Sequence, residues 1–394
     1  MKFVCGCLLL IALVLSSQAP AYADRSSASI LYASGDFDRA AQAYERALAV
    51  DPSDILAKLN LGAIRLYQNN LAAAESLLRD VLSADTANAR ANALLREVER
   101  RKAEATRRTT IEGTEAIVPF VTSDPLPVVQ GEIDGKAGTF LIDTGGTVDL
   151  EPSFAASLGL TMTDSGVGTF AGGRHAPVQG TMLHSVTLGA ATAYDVPAHV
   201  LPTHASELFD GKRIDGVVGT TLFERYLATI DYSKQRLILR ERSSANSERF
   251  QAMARQAGST IVPFWLVSDH LVVANAQVND AAPGLFVFDS GLAGGGIVPS
   301  KELVAAAHLQ LDRAHAGTGV GGGGPVEAIP LVVQRIAVGD AVVSNVRGIY
   351  TPEGGPEFPF MVWGSISDNF LRHFAYTVDF DAMRIVLASS SDVR

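Results

Sequence analysis

Cysteine is almost missing from this sequence. The chain has 394 residues and two cysteines, Cys5 and Cys7, both inside an apolar run near the N-terminus. If that run is removed during export, the mature protein has no thiol. The sequence then predicts no disulfide, no thiol nucleophile and no cysteine-ligated metal site.

An excess of positive charge is missing as well. The chain has 32 Lys and Arg against 42 Asp and Glu, for a net charge of −10. Proteins that bind nucleic acid usually present a basic surface, so we expect no nucleic-acid partner. With 47% hydrophobic and 19% charged residues, the chain can bury real cores. Its length suggests two or three domains.

Long apolar segments are confined to the N-terminus. Residues 1–23 have the layout of a secretory signal peptide: Lys2, an apolar run over 3–15, and a cleavage-type stretch at 21–23. The run is shorter than a membrane-spanning helix usually requires. The alternative is that this segment is not cleaved and anchors the protein in the membrane. We therefore expect an exported protein, periplasmic or secreted, with no membrane span after signal removal.

Residues 24–108 are rich in Ala and Leu and predict a helical region with an internal repeat. Ala40 aligns with Ala74, and Leu48 aligns with Leu82 at the same offset. The stretch GDFDRAAQAYERALAVDPS resembles a tetratricopeptide (TPR) unit, and the offset equals the period of that family. Such repeats often present a concave binding surface, so a protein partner is possible here. An ordinary helical hairpin packed on the next domain is the alternative.

The residue composition of the sequence changes at about Thr110. Glycine, valine and threonine become frequent, and short apolar runs alternate with turn signals, which predicts many short β-strands. We place a first β lobe at 109–247 and a second at 248–394. The polar stretch 240–259 predicts a connection with a short helix.

The β region is duplicated. IVPF occurs at 117–120 and 261–264, and LIDTG at 141–145 returns as VFDSG at 287–291. FERYLATIDYSKQRLIL at 223–239 likewise returns as FLRHFAYTVDFDAMRIVL at 370–387. These matches keep one order and nearly one spacing. The sequence therefore predicts two homologous β lobes in tandem.

One carboxylate recurs in this duplication. Asp143 and Asp289 each end an apolar run, and each is followed by a hydroxyl residue and a glycine. Two lobes related by a pseudo-twofold axis can bring these carboxylates face to face, where they cannot both ionise easily and share a proton. The charged member can take a proton from water while the neutral member polarises a carbonyl. This is general acid–base hydrolysis without a covalent intermediate.

The stretches FLIDTGGTVDL and FVFDSGLAGGGIV resemble the two active-site loops of aspartic proteases. Later glycine elements, IDGVVGTTLF at 214–223 and MVWGSISDNF at 361–370, are similar to the ψ-shaped loops of that family. The short lobes look more like tandem retropepsin-type lobes than like pepsin. The resemblance covers about residues 110–390. It implies a mainly β, bilobal aspartic-protease-like fold behind an N-terminal α-helical TPR-like module.

The resemblance also implies roles for individual residues. Asp143 and Asp289 become the catalytic pair. The residues implied to support the pair are Thr144, Gly145, Ser290 and Gly291. Two glycine-rich stretches, 166–178 and 317–326, stand where mobile flap hairpins close over substrate. The resemblance assigns substrate binding to the flap residues Phe170, Ala171, Gly172, Gly173, Val320, Gly321 and Gly322.

The sequence departs from the family pattern after each triplet. Gly146 and Leu292 stand where Ser, Thr or Ala is usual, and neither candidate flap contains a tyrosine, which the retropepsin type also lacks. A formal G-x-G-x-x-G beginning at Gly317 is followed by glycine and proline rather than by a helix, so no dinucleotide site is expected. We expect structural or solvated roles for Asp149, Asp215, Asp231 and Asp379.

The sequence therefore predicts an aspartic endopeptidase acting outside the cytoplasm without metal or cofactor. Its substrate is an extended peptide or protein segment bound between the lobes and flaps. One alternative is a catalytically inactive peptide-binding scaffold of the cell envelope, with a partner recruited by the TPR-like region. Another is that each lobe pairs with a lobe of a second chain, although the tandem linkage favours pairing within one chain.

Overall fold

The computed structural model describes residues 25–170, 173–321 and 323–389. It divides into two compact units. One contains the described residues up to Glu104 together with Pro359–Met361, and the other contains the rest from Ala105 onwards. The predicted signal peptide, with Cys5 and Cys7, lies outside the described residues. Among the helices that are described, none is long and apolar enough to cross a membrane.

The helical unit is built from short antiparallel helices. Their bounds are α1 (25–33), α2 (Phe37–Val50), α3 (Ile55–Tyr67), α4 (Leu71–Ala84) and α5 (Ala89–Glu104). Asp36, Asp54 and Asn70 each accept a hydrogen bond from the backbone N–H three residues later, so their side chains cap α2, α3 and α4. Helices α2 and α4 begin at the same offset as the repeated residues Ala40 and Ala74. The predicted repeat is confirmed.

An aromatic cluster lies in the core of the helical unit. The Phe360 ring lies 4.8 Å from Phe37, 5.9 Å from Tyr32 and 5.9 Å from Tyr67, in edge-to-face geometry. The Met361 N–H donates to the carbonyl oxygen of Ala33 at 2.7 Å. Phe360 is only 6% exposed. A segment distant in sequence thus completes this core.

Phe360→Ala is expected to destabilise the helical unit by about 3–5 kcal/mol, because it leaves a cavity between three rings. The measurement is chemical denaturation followed by circular dichroism at 222 nm. Leu56→Ala is the matched control, since Leu56 is 46% exposed and its loss should cost at most about 0.5 kcal/mol. Equal effects of the two substitutions would contradict the role of Phe360.

The first β lobe has strands and short helices in the following order. They are β1 (Thr109–Ile111), β2 (Glu115–Thr122), β3 (Val128–Ile133), β4 (Lys136–Asp143), β5 (Asp149–Leu150), α6 (Pro152–Leu158), β6 (Thr163–Phe170), β7 (Arg174–Leu188), β8 (Ala191–Val200), β9 (Gly216–Gly219), α7 (Thr220–Phe223), β10 (Tyr226–Asp231) and β11 (Arg236–Glu241).

The second lobe follows the helix α8 (Ser244–Gln256) and repeats this order. Its elements are β12 (Thr260–Val267), β13 (Leu271–Val278), β14 (Gly284–Phe288), β15 (Ile297–Pro299), α9 (Lys301–Ala306), β16 (Gly317–Gly321), β17 (Gly324–Val338), β18 (Ala341–Tyr350), β19 (Gly364–Ile366), α10 (Asp368–Leu371), β20 (Phe374–Asp379) and β21 (Arg384–Ser389). Strand β20 is the counterpart of β10, and β18 is the counterpart of β8; the members of each pair are equal in length.

The two lobes share one sheet. Its strands are hydrogen-bonded in the order β2, β11, β10, β20, β21 and β12. At its centre the Thr229 and Thr377 hydroxyls lie 2.7 Å apart, and buried side chains of both lobes join one hydrophobic core. The duplicated lobes therefore pair within a single chain, as the tandem linkage favours.

Helix α8 connects the lobes and accounts for the polar stretch at 240–259. Its side chains Ser247 and Gln251 donate to the carboxylate of Asp379 at 2.7 and 2.9 Å, so this buried aspartate has a structural role. The sequence-based lobe boundary at 247–248 falls inside this helix.

Candidate active site

Asp143 and Asp289 stand at the ends of equivalent buried strands. Asp143 is the last residue of β4, which pairs in parallel with β9, and Asp289 follows β14, which pairs in parallel with β19. The backbone N–H of Asp289 also donates to the carbonyl oxygen of Ile366 at 2.9 Å. These pairings aim both residues at the junction of the lobes. The two carboxyl groups come within hydrogen-bonding reach of each other.

The hydroxyl residues after the aspartates bond across the junction. The Thr144 N–H donates to Ser290 Oγ at 3.0 Å, and the Ser290 N–H donates to Thr144 Oγ1 at 3.0 Å. Thr144 Oγ1 in turn donates to the carbonyl oxygen of Phe288 at 3.0 Å. Both hydroxyl residues are buried. This reciprocal bridge fixes the two aspartate loops relative to each other.

Thr144→Val is expected to lower the free energy of unfolding by about 2–4 kcal/mol. Valine keeps the shape of threonine but leaves the Ser290 N–H and the Phe288 carbonyl unpaired in a buried place, at about 1–3 kcal/mol each. Urea denaturation measures the change. The control is Thr181→Val, whose hydroxyl bonds to the Thr161 carbonyl at an exposed position. A loss no larger than that of the control would show that the bridge contributes little.

The glycines of the two triplets let the carboxyl groups approach closely. The N–H groups of Gly145 and Gly291 each donate to the carboxylate of their own loop at 2.8 Å. A Cβ atom on Gly145 would lie 2.5 and 2.6 Å from the carboxyl oxygens of Asp289, and one on Gly291 would overlap the Asp143 carboxyl group. Any larger residue would push the loops apart.

The two later glycine elements, 214–223 and 361–370, hydrogen-bond to the backbone of the aspartate loops. Thr220 donates its N–H to the Gly146 carbonyl at 2.9 Å and its hydroxyl to the Thr144 carbonyl at 2.8 Å. In the second lobe the Ser367 hydroxyl donates to the Leu292 carbonyl at 3.0 Å. Gly146 and Leu292, which depart from the family pattern, are therefore held through their backbone carbonyl groups. A Cβ atom on Gly146 would lie 3.2 Å from a carboxyl oxygen of Asp143, so glycine leaves room for that group.

The environment raises the pKa of both carboxyl groups. Desolvation is the largest cause for Asp289, and the neighbouring charge of Asp143 adds to it, so this pKa lies well above its usual range. Desolvation also raises the pKa of Asp143, but hydrogen bonds from Asp289 and the Gly145 N–H oppose the rise. Because the charge of Asp143 raises the pKa of Asp289, ionisation of one carboxyl group opposes ionisation of the other.

Two histidine–aspartate pairs lie beside the dyad, which is the pair of carboxyl groups of Asp143 and Asp289. Neither histidine–aspartate pair was identified from the sequence. His199 Nδ1 lies 3.4 Å from Asp149 and 3.0 Å from the hydroxyl of Thr147, which itself donates to Asp149 at 2.6 Å. From the other lobe, His270 Nδ1 lies 2.5 Å from Asp269. Only strand pairing reveals the first contact, because β5 and β8 align Asp149 with His199.

These pairs alter the charge around the dyad. The hydrogen bond that the His199 ring donates to Asp149 is the largest cause that raises the pKa of His199. Burial lowers the pKa of His270, but the contact with Asp269 and the nearby charges of Asp149 and Asp143 together outweigh it, so the pKa is raised. Asp149 and His270 also act on Asp143. Asp149 thus contributes to the electrostatics of the site. Across the described ranges, no group of three or more His, Cys, Asp or Glu side chains is arranged to hold a metal ion.

The candidate flaps form two antiparallel hairpins. In the first, Phe170 of β6 pairs with Arg174 of β7, and in the second, Gly321 of β16 pairs with Gly324 of β17. A Cβ atom on Gly323 would lie 3.3 Å from the Cα atom of Arg174, so the tips of the hairpins meet. Gly173 lies at the first tip and Val320 in β16. Of the flap residues predicted to bind substrate, three lie outside the described ranges: Ala171, Gly172 and Gly322.

Two tandem β lobes with facing carboxyl groups at their junction define the class of aspartic-type peptidases. Residues 129–222 and 274–361 match the family model described as aspartyl protease, and residues 31–98 match a tetratricopeptide repeat model. The two β lobes thus match aspartyl proteases over these two segments, tetratricopeptide repeats precede them, and the protein is an aspartic-type hydrolase.

Part of the chain is similar to the crystal structure of a retropepsin-like aspartic protease from Rickettsia conorii, with 22% sequence identity and a TM-score of 0.26. The alignment covers 34% of this chain and 96% of that chain. No curated protein matches the chain.

Proposed function

We propose that this protein is an endopeptidase in which Asp143 and Asp289 together activate a water molecule for peptide-bond hydrolysis. The observation that carries the proposal is the contact between the two carboxyl groups, held across the lobes by Thr144 and Ser290. Such a pair retains one proton at pH values where isolated carboxyl groups are ionised.

The surroundings favour different roles for the two carboxyl groups. Asp143 accepts hydrogen bonds from Asp289 and the Gly145 N–H, which favour its ionised form, so it suits the base that takes a proton from water. Asp289 has the higher pKa and suits the acid that polarises and protonates the substrate carbonyl. Asp143 then gives the proton taken from water to the amide nitrogen as the C–N bond breaks, and Asp289 takes back the proton that it gave to the carbonyl oxygen, so no covalent intermediate is needed.

The proposed substrate is an extended peptide segment bound between the lobes beneath the hairpins. Strand edges can pair with its backbone, so affinity comes from the main chain and selectivity from side-chain pockets. We further propose that the protein acts outside the cytoplasm, on the basis of the signal-like residues 1–23. The tetratricopeptide repeats suit recruitment of a protein partner.

A cleavage assay on an unbiased peptide library tests this function, with and without an aspartic-protease transition-state analogue. We expect cleavage that the analogue suppresses, with products identified by mass spectrometry. Cleavage insensitive to the analogue, or none between pH 3 and 8, contradicts the proposal. The inactive-scaffold alternative gains no support from the site, because that alternative expects separated carboxyl groups.

A further inference from the structure

The segment between β18 and β19 contributes to both compact units. It covers residues 351–363, and Phe360 is its one buried residue. Residues 352–357 are exposed, and a Cβ atom on Gly354 or Gly355 would meet nothing within 4 Å. The segment therefore has a single buried anchor, and that anchor lies in the aromatic cluster of the helical unit.

The corresponding segment of the first lobe is anchored differently. It joins β8 to β9 and covers residues 201–215. Its buried residues Ala205 and Phe209 belong to a hydrophobic cluster with Leu126 and Leu141 of the same lobe. The first lobe thus holds its own segment, whereas the segment of the second lobe is held by a core outside that lobe.

One residue separates the end of this anchor from the next fixed point of the chain. Met361 is bonded to Ala33 in the helical unit, and Val362 is the first residue that belongs to the β unit again. The Trp363 N–H then donates to the carbonyl oxygen of Leu285 at 2.8 Å in the second lobe. Because so short a stretch of chain has little slack, a shift of Met361 is transmitted to Trp363.

Trp363 and strand β19 position the loop that carries Asp289. A Cβ atom on Gly284 would lie 2.0 Å from the Trp363 ring, so the ring packs directly on the start of β14, the strand that leads to Asp289. Three residues after Trp363, the Ile366 carbonyl accepts the Asp289 N–H at 2.9 Å. Strand β19, which contains Ile366, also pairs in parallel with β14. The position of Asp289 therefore depends on where Trp363 and β19 lie.

We propose that Phe360 is a positioning residue for Asp289: its burial in the helical unit fixes the entry to β19, and the helical unit thereby supports the peptidase site. The inference rests on the proposed peptidase function and gives the helical unit a role in it besides recruitment of a partner. Phe360 acts through Trp363 and the backbone of β19. Each contact on this route lies within one unit, and the two units are joined on it by the chain itself.

The test compares Phe360→Ala with a variant that weakens the helical unit elsewhere. Leu78→Ala is the matched control, because Leu78 is fully buried in α4, in a hydrophobic cluster that does not include Phe360. Both variants are assayed where circular dichroism shows them folded. Phe360→Ala should lower kcat about tenfold with KM unchanged, since about 1 Å of displacement at a reacting group costs about 10²-fold and a smaller shift is expected here. Leu78→Ala should keep the wild-type kcat, and Phe360→Leu should restore most of the rate.

Tryptophan fluorescence gives a readout that does not depend on turnover. The chain has two tryptophans, and Trp265→Phe leaves Trp363 as the only one. In this background Phe360→Ala should shift the Trp363 emission to longer wavelength and increase its quenching by acrylamide. Leu78→Ala should change neither.

The two readouts separate this inference from the proposed function. If the wild type cleaves no peptide but Phe360→Ala still shifts the Trp363 emission, the peptidase function fails and the link from the helical unit to β19 stands. Unchanged Trp363 emission in Phe360→Ala overturns the inference whatever the turnover. Equal losses of kcat in Phe360→Ala and Leu78→Ala also overturn it, because instability of the helical unit alone would then account for the effect.

Discussion

Asp143→Asn and Asp289→Asn are each expected to abolish detectable turnover, with kcat/KM reduced by at least about 10²–10⁴-fold. Asparagine has nearly the shape of aspartate, but its amide group can neither give up nor take up a proton in the pH range of the assay. The remaining carboxyl group then loses the partner with which it shares a proton. Both variants keep the backbone contacts that position the loops, so both should fold.

The assay uses the best peptide from the library together with urea denaturation of each variant. Asp210→Asn is the control, because Asp210 is exposed and lies in a left-handed turn that asparagine tolerates. It should match the wild type in both measurements. Full turnover in either dyad variant would show that the pair is not the catalytic machinery.

The pH dependence of stability gives a second readout of Asp289. Its pKa is raised well above 3.8 by desolvation and by Asp143, so the folded state holds a proton that the unfolded state has lost. The contribution to stability is complete below the unfolded pKa and is lost as pH rises through the folded pKa. Asp289→Asn removes this loss. At neutral pH the variant should therefore be at least as stable as wild type while being inactive.

Gly291→Ala is expected to reduce kcat/KM by about 10²-fold or more, although neither aspartate is changed. The added methyl group overlaps the Asp143 carboxyl group, so the loops must separate. A displacement of about 1 Å at reacting groups costs about 10²-fold in rate. The overlap should also lower stability by about 1–3 kcal/mol.

Gly355→Ala provides the control for Gly291→Ala, because Gly355 is exposed and a Cβ atom there meets nothing within 4 Å. Kinetics and urea denaturation are measured on both proteins. Gly145→Ala places its methyl group against Asp289 and should be impaired to a similar degree. Activity within about threefold of wild type in Gly291→Ala would mean that the observed close approach is not needed for turnover.

Much of the architecture could be predicted because the sequence repeats itself. The return of Ala40 and Leu48 as Ala74 and Leu82 predicted the helical module, and helices α2 and α4 begin at that same spacing. Matching strings in one order predicted two lobes, and strands β10 and β20 occupy equivalent places. Repetition constrains local structure strongly, since each copy must satisfy the same pattern of burial and turns.

Other features could not be predicted because they depend on contacts between distant residues. Phe360 belongs to the core of the helical unit, although residues 105–358 lie between it and the helices along the chain. His199 reaches Asp149 only through the pairing of β5 and β8. No local pattern in the sequence announces either contact.

The sequence by itself determined that two aspartates, Asp143 and Asp289, occur in equivalent copies of one lobe. Composition, periodicity and turn chemistry are local properties, and they suffice for that. The tertiary structure alone brings the two carboxyl groups together, raises their pKa values and places His199 against Asp149 beside them. A pKa depends on burial and on the distance between charges, and the chain acquires both only when it folds.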